Sequence, residues 1–388
     1  MVDLIKWCLS YSYFVGRLTG MLNFEIDFKT GRAQVTKRAS ICAVCSNLVI
    51  FSMLTVCVLN LHEIVKTWEL PNRLQEYVLI VLSVFRIMCI FLTLASRWWN
   101  REEFMQIFDA FRRQYSPEIL PYCQRRILNK IFCVSTVDTV HIVKTMLTMR
   151  KQLTLKMALG TWGLFSTTVV VHVIIMQYFM AMASIRGRYI LLNKELQALI
   201  SETRSLNPNR IGVFITTCCS LADRFEKIAK SQSDLQAFID RLTRVYEVQV
   251  ASLVIAYYLH LVVYLYFVLI LIKYNFISMI SPEFVMFVYT TLIVLYFVDF
   301  SMNASNIVGL RDTHEEMIQL LGQRTLFQPG LDQRLEAVID GFTLNLARNP
   351  LRLRYLGLFK IDRFEIFVML NALLGHTILL IQIDIEGL

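Results

Sequence analysis

Three ionisable residues recur at intervals of three within one apolar stretch of the chain. Asp138, His141 and Lys144 interrupt the apolar run from residue 127 to residue 148. Side chains three residues apart lie on one side of a helix, and an ionisable group within a bilayer faces the protein interior or a water-filled cavity. Two interpretations follow. The trio lines a cavity that a small ligand can enter, or it forms structural salt bridges, for example between Asp138 and Lys144 or Arg86.

Aromatic side chains lie at a similar depth in the neighbouring apolar runs. Most aromatic residues of a membrane protein face lipid or form belts at the membrane surface, so we expect only a minority of them to reach a cavity. The predicted ligand pocket combines the trio with four of these residues: Trp162, Phe165, Tyr264 and Phe287.

Isolated polar residues in other apolar runs are expected to be structural. Arg86 lies in the middle of the second run and Asp299 near the end of the sixth. For both, a buried salt bridge is favoured over a functional site. His172 and His260 are interpreted as core histidines with satisfied hydrogen bonds rather than as metal ligands.

The cysteines do not indicate catalysis or metal binding. Cys42 and Cys45 form a CxxC pair, but no second Cys or His pair accompanies them. A structural zinc site needs four ligands, so the pair is better explained as small apolar side chains in a helix. The sequence contains no Gly-rich phosphate loop, no HExxH motif and no nucleophile–base pair. We therefore predict a protein that is not an enzyme, with no catalytic residue, no metal and no cofactor.

The last apolar run, FEIFVMLNALLGHTILLIQI, carries polar or small residues on one helical face. Asn371, Gly375, Ile378 and Gln382 follow one another at steps of 4, 3 and 4, which aligns them on a helix. A single helix in lipid cannot supply hydrogen-bond partners for two side-chain amides, so this face meets protein or water. Two interpretations again remain open: a pore lining in which an apolar ring closes the path by dewetting, or hydrogen bonding between packed helices.

An acidic tail follows this face directly. Asp384 and Glu386 come immediately after it, without a basic residue. If several copies surround one axis, we expect these carboxylates to form an acidic ring at the outer mouth that concentrates cations.

The composition identifies the class of protein that positions these groups. Of the 388 residues, 56% are hydrophobic and 18% are charged, whereas a soluble chain has about 25% charged residues. A span needs about 20 apolar residues. We predict an all-α membrane protein with seven spans: Ala39 to Leu59, Tyr77 to Ser96, Ile127 to Thr148, Gly160 to Ala183, Ala251 to Ile272, Phe284 to Met302 and Phe364 to Ile383.

The basic residues between the spans predict the orientation. Of the 39 Lys and Arg residues, 30 lie in the N-terminal segment and the even-numbered loops, and only 6 lie on the opposite side. By the positive-inside rule the N-terminus is cytoplasmic and the C-terminus extracellular. This orientation excludes a G-protein-coupled receptor, whose N-terminus faces outward. It also explains the net charge of +9 without a nucleic-acid partner.

Two amphipathic segments on the cytoplasmic side indicate a helical base. One lies in LADRFEKIAKSQSDLQAFIDRLTRVYEVQ and the other in RLEAVIDGFTLNLA, each with apolar residues at helical spacing. The predicted organisation is a cytoplasmic N-terminal segment (1–38), spans one to six (39–302) with a long cytoplasmic extension (185–250), cytoplasmic anchor helices (303–363), a pore-lining seventh span (364–383) and an extracellular tail (384–388).

This organisation resembles the insect gustatory receptors, which are grouped with the insect odorant receptors. The resemblance covers the whole chain and includes CCSLADRFEKIAK, EEMIQLLGQRTLF, RNPLRLRYLGLF and LLIQID. The chain is most similar to divergent fly receptors assigned to bitter sensing. The family's span-seven signature is Thr-Tyr, five hydrophobic residues and Gln-Phe. Here Gly375-His376 and Gln382-Ile383 stand at the two paired positions, so only the glutamine is kept.

The resemblance implies a ligand-gated, non-selective cation channel in the plasma membrane of gustatory sensory neurons. Its implied partners are an aversive, bitter small-molecule tastant, inorganic cations, membrane lipid and other gustatory receptors in a homo- or hetero-tetramer. The implied gate lies at Gln382 and Ile383, and the implied ligand pocket lies in the outer part of spans two to six. The alternative is a secondary transporter of a small organic solute that uses the ionisable residues of span three.

Overall fold

The computed structural model describes residues 10, 13–26, 32–66, 73–114, 117–149, 154–206, 211–274, 282–323, 331–357 and 359–386. These residues are helical almost throughout. The main helices are α1 (Lys37–Leu59), α2 (Leu61–Lys66), α3 (Arg73–Trp99), α4 (Arg101–Gln114), α5 (Leu120–Met149), α6 (Leu155–Arg204), α7 (Ile211–Tyr274), α8 (Pro282–Gly322), α9 (Gln333–Arg348) and α10 (Arg363–Glu386). Two short antiparallel pairs join β1 (Glu25–Ile26) to β2 (Ala33–Gln34) and β3 (Arg354–Tyr355) to β4 (Phe359–Lys360).

Each predicted span lies within one helix, which confirms the predicted all-α membrane fold. Among the described residues, six helices are long and apolar enough to cross a membrane: α1, α3, α6, α7, α8 and α10. The third predicted span lies in α5, which has 30 residues. At 1.5 Å per residue this helix is about 45 Å long, more than the hydrocarbon core requires, although it carries Asp138, His141 and Lys144.

Two helices continue well beyond the membrane. Helix α6 has 50 residues and α7 has 64, which correspond to lengths of about 75 and 96 Å. The cytoplasmic extension predicted over 185–250 is therefore built from the end of α6 and the beginning of α7. Helix α6 is central to the bundle, because it packs against α1, α5, α7 and α8.

The cytoplasmic base packs through the apolar stripes that the spacing predicts. Asp332 caps α9 by accepting a hydrogen bond from the Arg334 amide at 3.0 Å. Leu335, Ile339, Phe342 and Leu346 are all buried, and α9 packs against α7. In α7 the matching stripe is buried as well: Leu221, Phe225, Ile228, Leu235, Phe238, Leu242 and Val245.

A tight hairpin connects this base to the last membrane helix. Its turn contains Leu356 and Gly357, both with positive φ, a backbone conformation that is unfavourable for leucine. The Leu356 amide donates a hydrogen bond to Glu247 Oε1 at 2.6 Å, which holds the turn on α7. Tyr355 is fully buried and its hydroxyl bonds to that of Tyr178 in α6. The start of α10 is therefore fixed to both long helices.

Candidate functional site

Helix α10 has one face against its own subunit and one face uncovered. Leu373, Thr377 and Asp384 are the buried residues of this helix, and the helix packs against α7. The predicted amide face lies on the opposite side: its members Asn371, Gly375, Ile378 and Gln382 are all exposed, and Ile378 is 55% exposed.

The helical spacing explains this division of α10. At about 100° per residue, the four residues of the amide face fall within about 60° of one another. Leu373, Thr377 and Asp384 form a second group about 150° away. Ile383 follows Gln382 by one residue and is half-buried. The single chain therefore leaves the amides of Asn371 and Gln382 without protein cover.

Asp384 does not lie where the predicted acidic ring requires it. Its side chain is 3% exposed, and Tyr266 in α7 donates a hydrogen bond to its carboxylate at 3.1 Å. The reason is geometric, because two residues rotate Asp384 about 200° away from Gln382. Glu386 is exposed and, four residues after Gln382, lies on the amide face. Of the two predicted carboxylates, only Glu386 shares that face.

The ionisable trio of α5 points into the bundle, as the predicted pocket requires. Asp138 Oδ1 lies 2.6 Å from His172 Nδ1 in α6, so its partner is His172 rather than Lys144 or Arg86. His141 Nε2 lies 2.8 Å from the Tyr296 hydroxyl in α8. These contacts connect α5 to two neighbouring helices in the half of the membrane that the loop charges assign to the outside.

Lys144 and a group of aromatic rings complete this cluster. The Lys144 ammonium lies 4.4 Å from the ring centre of Tyr289 and 5.2 Å from that of Tyr264, a cation–π arrangement. Tyr264 is buried, and its ring lies within 6 Å of three others, those of His260, Tyr289 and Tyr296. We call this group the outer cluster; it consists of Asp138, His141, Lys144, His172, His260, Tyr264, Tyr289 and Tyr296.

Two residues predicted for the pocket lie outside this cluster. Trp162 is 57% exposed and Phe287 is 66% exposed, so both face the outer surface of the subunit. Phe165 is half-buried and its ring packs on that of Trp162 at 5.6 Å between centres. Exposed aromatic residues at the end of a span are typical of the membrane interface, which explains their position.

The two isolated charges have structural partners, but only Asp299 has the predicted salt bridge among the described residues. Asp299 is held by Lys130 in α5 and by the Tyr257 hydroxyl in α7. Lys130 and Asp299 are 0% and 1% exposed. Arg86 donates to the Thr168 hydroxyl in α6. The predicted salt bridge of Asp299 is present, and its partner Lys130 is distant in sequence. Arg86 bonds to a hydroxyl instead of the predicted charged partner.

Tyr296, like Tyr289, belongs to the outer cluster but was not among the predicted pocket residues. It contacts His141, Tyr257, His260 and Tyr264. The spacing of the tyrosines could have predicted this contact. Tyr289 and Tyr296 are seven residues apart in α8, as are Tyr257 and Tyr264 in α7. Seven residues are about two helical turns, so each pair lies on one face, and the two pairs face each other.

Both histidines are buried, as predicted, but only one of them has the predicted hydrogen bonding. His172 has a carboxylate partner in Asp138, whereas His260 contacts the Ala256 carbonyl through Nδ1 at 2.6 Å and its Nε2 has no hydrogen-bond partner among the described residues. In the part of the chain that the structure describes, no group of three or more His, Cys, Asp or Glu side chains is arranged to hold a metal ion. The outer cluster thus presents hydrogen-bonding groups, one ammonium and aromatic faces.

The sequence is similar to known chemosensory proteins along its whole length. The pattern that defines the 7tm chemosensory receptor family matches residues 9–387. Gustatory receptor 59d of Drosophila melanogaster is 46% identical over 389 residues, with 100% of each chain covered. Gustatory receptor 36c of the same organism is 32% identical over 393 residues, which cover 99% of this chain and 100% of that one.

The fold is similar to that of a solved insect receptor. The structure of the olfactory receptor OR5 from Machilis hrabei superposes with a TM-score of 0.65 at 13% identity, covering 98% of this chain and 99% of that chain. The same receptor in complex with eugenol gives a TM-score of 0.64 at 12% identity. At this level of identity the similarity concerns the fold.

Proposed function

Because this chain belongs to the insect gustatory receptors of the 7tm chemosensory receptor family, we propose that it is a ligand-gated, non-selective cation channel opened by a small-molecule tastant. It is a multi-pass membrane chemoreceptor. The proposed location is the plasma membrane of gustatory sensory neurons, and the proposed tastant is an aversive, bitter organic molecule.

The uncovered amide face of α10 carries this proposal. Asn371 and Gln382 are exposed on the side of α10 that turns away from its own subunit. Unsatisfied amides in hydrocarbon cost several kcal/mol each, so this face requires water or other subunits. Four copies around one axis supply both, because the amides then border an aqueous path. Ile378 lies between them, and a ring of such side chains closes a pore by dewetting.

The outer end of α10 is the proposed gate. Gln382 lies on the amide face and Ile383 beside it, so a small rotation of the helix exchanges an amide ring for an apolar one. Glu386 is exposed on the same face, one turn farther out, and attracts cations to the mouth. Asp384 instead fixes the end of α10 to α7 through Tyr266.

The outer cluster is the proposed ligand pocket. Its members come from α5, α6, α7 and α8, so a ligand among them contacts four helices at once. Rings such as Tyr264 and Tyr296 offer faces for an aromatic molecule, and His141 and Lys144 offer polar contacts. A ligand that separates these groups changes the packing of α7, and α7 is the helix on which α10 rests. The cytoplasmic base then holds the subunits of the tetramer together.

The test is electrical recording of Gln382→Ala against a matched control. Receptors are expressed in oocytes, with and without candidate co-receptors, and a tastant panel is applied under two-electrode voltage clamp. We expect ligand-evoked currents in both wild type and Gln382→Ala. When sodium is replaced by a large organic cation, the reversal potential of Gln382→Ala should shift by a different amount from that of wild type. Leu379→Ala, which is exposed on α10 beside the amide face, should retain the wild-type shift.

Two results would contradict this proposal. Permeability and gating that are identical in wild type and Gln382→Ala, with robust currents in both, would exclude α10 as the pore lining. Saturable uptake of labelled tastant that follows a proton gradient, without a current that reverses at the cation equilibrium potential, would instead identify a secondary transporter that uses Asp138, His141 and Lys144.

A further inference from the structure

A cavity lies on the cytoplasmic side of the outer cluster. Its volume is about 210 Å³, and α6, α7, α8 and α10 all contribute to its wall. Tyr178, which lies on this wall, is six residues after His172, or about 9 Å along α6. The cavity adjoins the outer cluster, because the ring of Tyr257 on its wall lies 5.7 Å from that of Tyr296, and it extends from there towards the cytoplasmic side. Most of its lining is apolar, and four aromatic residues contribute to it: Tyr178, Phe179, Tyr257 and Phe300.

One buried amide on this wall has an unused acceptor. Asn306 lines the cavity and is 1% exposed. Its Nδ2 donates to the Phe179 carbonyl at 3.2 Å, which fixes the orientation of the amide. Within the described part of the chain, no donor reaches Asn306 Oδ1. A buried acceptor without a partner is unfavourable, so a guest that carries a donor gains by entering.

The other polar groups on the wall are already engaged. Asn303 Nδ2 donates to the Asp299 carbonyl at 2.9 Å, and Gln249 exchanges hydrogen bonds with Ser96 and the α7 backbone. Glu365 is exposed and marks the mouth of the cavity. An ordered buried water needs two to four polar partners, and Asn306 Oδ1 supplies one. The wall therefore favours an organic guest with a single donor over water.

We propose that this cavity is a second ligand site, which binds a small aromatic alcohol of one ring and one hydroxyl. An apolar cavity of about 150 Å³ is known to hold benzene, so about 210 Å³ accommodates a ring with a short alkyl group. The hydroxyl donates to Asn306 Oδ1, and the ring packs against Phe179, Tyr257 and Phe300. An acyl chain of a lipid has no donor for Asn306 and fits the observations less well.

A molecule bound at this site also affects the pore, and this further step rests on the proposed function. Ile366 and Met369 belong to α10 and line the cavity, so a bound alcohol fills the space between the inner end of α10 and the rest of the bundle. A helix that is packed on both ends moves less freely. The guest therefore modulates opening without entering the outer cluster.

The experiment measures binding directly, so that it does not depend on channel activity. Purified full-length receptor in lipid nanodiscs is photolabelled with an alkylphenol that carries a diazirine, and the adducts are mapped by mass spectrometry. We expect adducts on peptides of α6, α8 and α10. Because one hydrogen bond is lost, 4-ethylphenol should compete about tenfold better than 1-ethyl-4-fluorobenzene, which has the same shape and no donor.

Three variants separate the possible outcomes. Asn306→Leu should keep the labelling but remove the tenfold preference for the phenol. Ala304→Phe, at a wall position, should abolish the labelling by filling the cavity. Tyr264→Phe in the outer cluster should leave both unchanged. The proposal would be overturned by adducts confined to the outer cluster or by an unchanged preference in Asn306→Leu. Displacement by oleate but not by 4-ethylphenol would also overturn it, because the guest would then be a lipid chain.

Discussion

At the scale of single residues, the pair of Lys130 and Asp299 shows how the bundle tolerates charge in its interior. Both side chains are almost fully buried, and the Asp299 carboxylate also accepts a hydrogen bond from Tyr257. Two opposite charges taken out of water stabilise a fold only when their remaining hydrogen-bonding capacity is satisfied. The pair therefore fixes the positions of α5, α7 and α8 relative to one another.

Removing one partner should be far more harmful than removing both. Lys130→Met leaves a buried carboxylate without its counter-charge, and we expect a loss of about 3 to 5 kcal/mol. The double variant Lys130→Met/Asp299→Asn should recover more than half of this loss, because no charge remains. The measurement is the thermal stability of the solubilised receptor, followed by size-exclusion chromatography.

The control for this prediction is Lys227→Met, since Lys227 is exposed on the cytoplasmic part of α7. It should behave as wild type. A single Lys130→Met variant that is as stable as wild type would show that the pair does not hold the helices together.

Residue pairs of this kind could not be predicted from the sequence. The spacing of Asp138, His141 and Lys144 predicted correctly that all three turn to one side of α5. Their partners His172, Tyr296 and Tyr289 lie on α6 and α8, and hydropathy does not determine how far one helix is shifted against another. Asp384 shows the same limit: its place in the acidic tail was evident, but its pairing with Tyr266 required the register between α10 and α7.

At the scale of elements, α8 extends far enough to place a histidine in the cytoplasmic base. His314 is buried against the ring of Tyr189 in α6, with 5.8 Å between ring centres. Neither ring nitrogen has a hydrogen-bond partner in the part of the chain that the structure describes. Burial lowers the pKa of His314 below its usual value, and nearby Glu315 opposes this shift only in part.

Because of this lowered pKa, we predict that acid destabilises the cytoplasmic helices around His314. The unfolded chain binds a proton at His314 below about pH 6.5, whereas the folded chain resists it. The stability that His314 contributes is therefore present above pH 6.5 and falls as the pH drops towards the folded pKa, by at most about 1.4 kcal/mol per pH unit. Thermal stability of the solubilised receptor between pH 7.5 and 5.5 measures this slope.

His314→Phe should flatten that slope, because phenylalanine keeps the ring contact with Tyr189 and cannot be protonated. His62→Phe serves as the control, since His62 is exposed on α2, and its slope should equal that of wild type. Equal slopes in all three proteins would show that another group is responsible for the acid sensitivity.

The elements themselves were largely predictable. Apolar length and helical spacing predicted all seven long helices and the buried stripe of α9, because both properties depend on local sequence. The predictions differed from the structure at the helix ends, most clearly in α6, which continues past the fourth predicted span to Arg204 without interruption. The fixing of the β3–β4 hairpin by Glu247 and Tyr178 was not predictable, since both residues lie more than 100 positions away in the chain.

At the scale of the whole molecule, the distribution of basic residues and the order of the helices give one orientation. The charge-rich segments and the base formed by α9 lie at the same end of the bundle. The outer cluster lies towards the other end. An odd number of spans then separates the two termini across the membrane.

Epitope accessibility tests this orientation. An N-terminal tag should be stained only after the plasma membrane is permeabilised, because 30 of the 39 basic residues lie on the same side as the N-terminus. A C-terminal tag should be stained on intact cells. Both tags accessible on the same side would mean an even number of spans, and the reverse pattern would restore the orientation of G-protein-coupled receptors.

The continuous helices α6 and α7 can transmit a tilt from one end of the bundle to the other. Each runs from the outer cluster to the cytoplasmic base as one continuous rod, and a helix of this kind bends only gently when no proline interrupts it. A tilt of a few degrees at the outer cluster therefore appears at the cytoplasmic end, about 48 Å away along α6 and about 74 Å away along α7, as a displacement of several ångströms. Under the proposed function, a ligand that tilts these helices at the outer cluster would produce a larger displacement in the cytoplasmic base, and the bending stiffness of α6 and α7 would set its size.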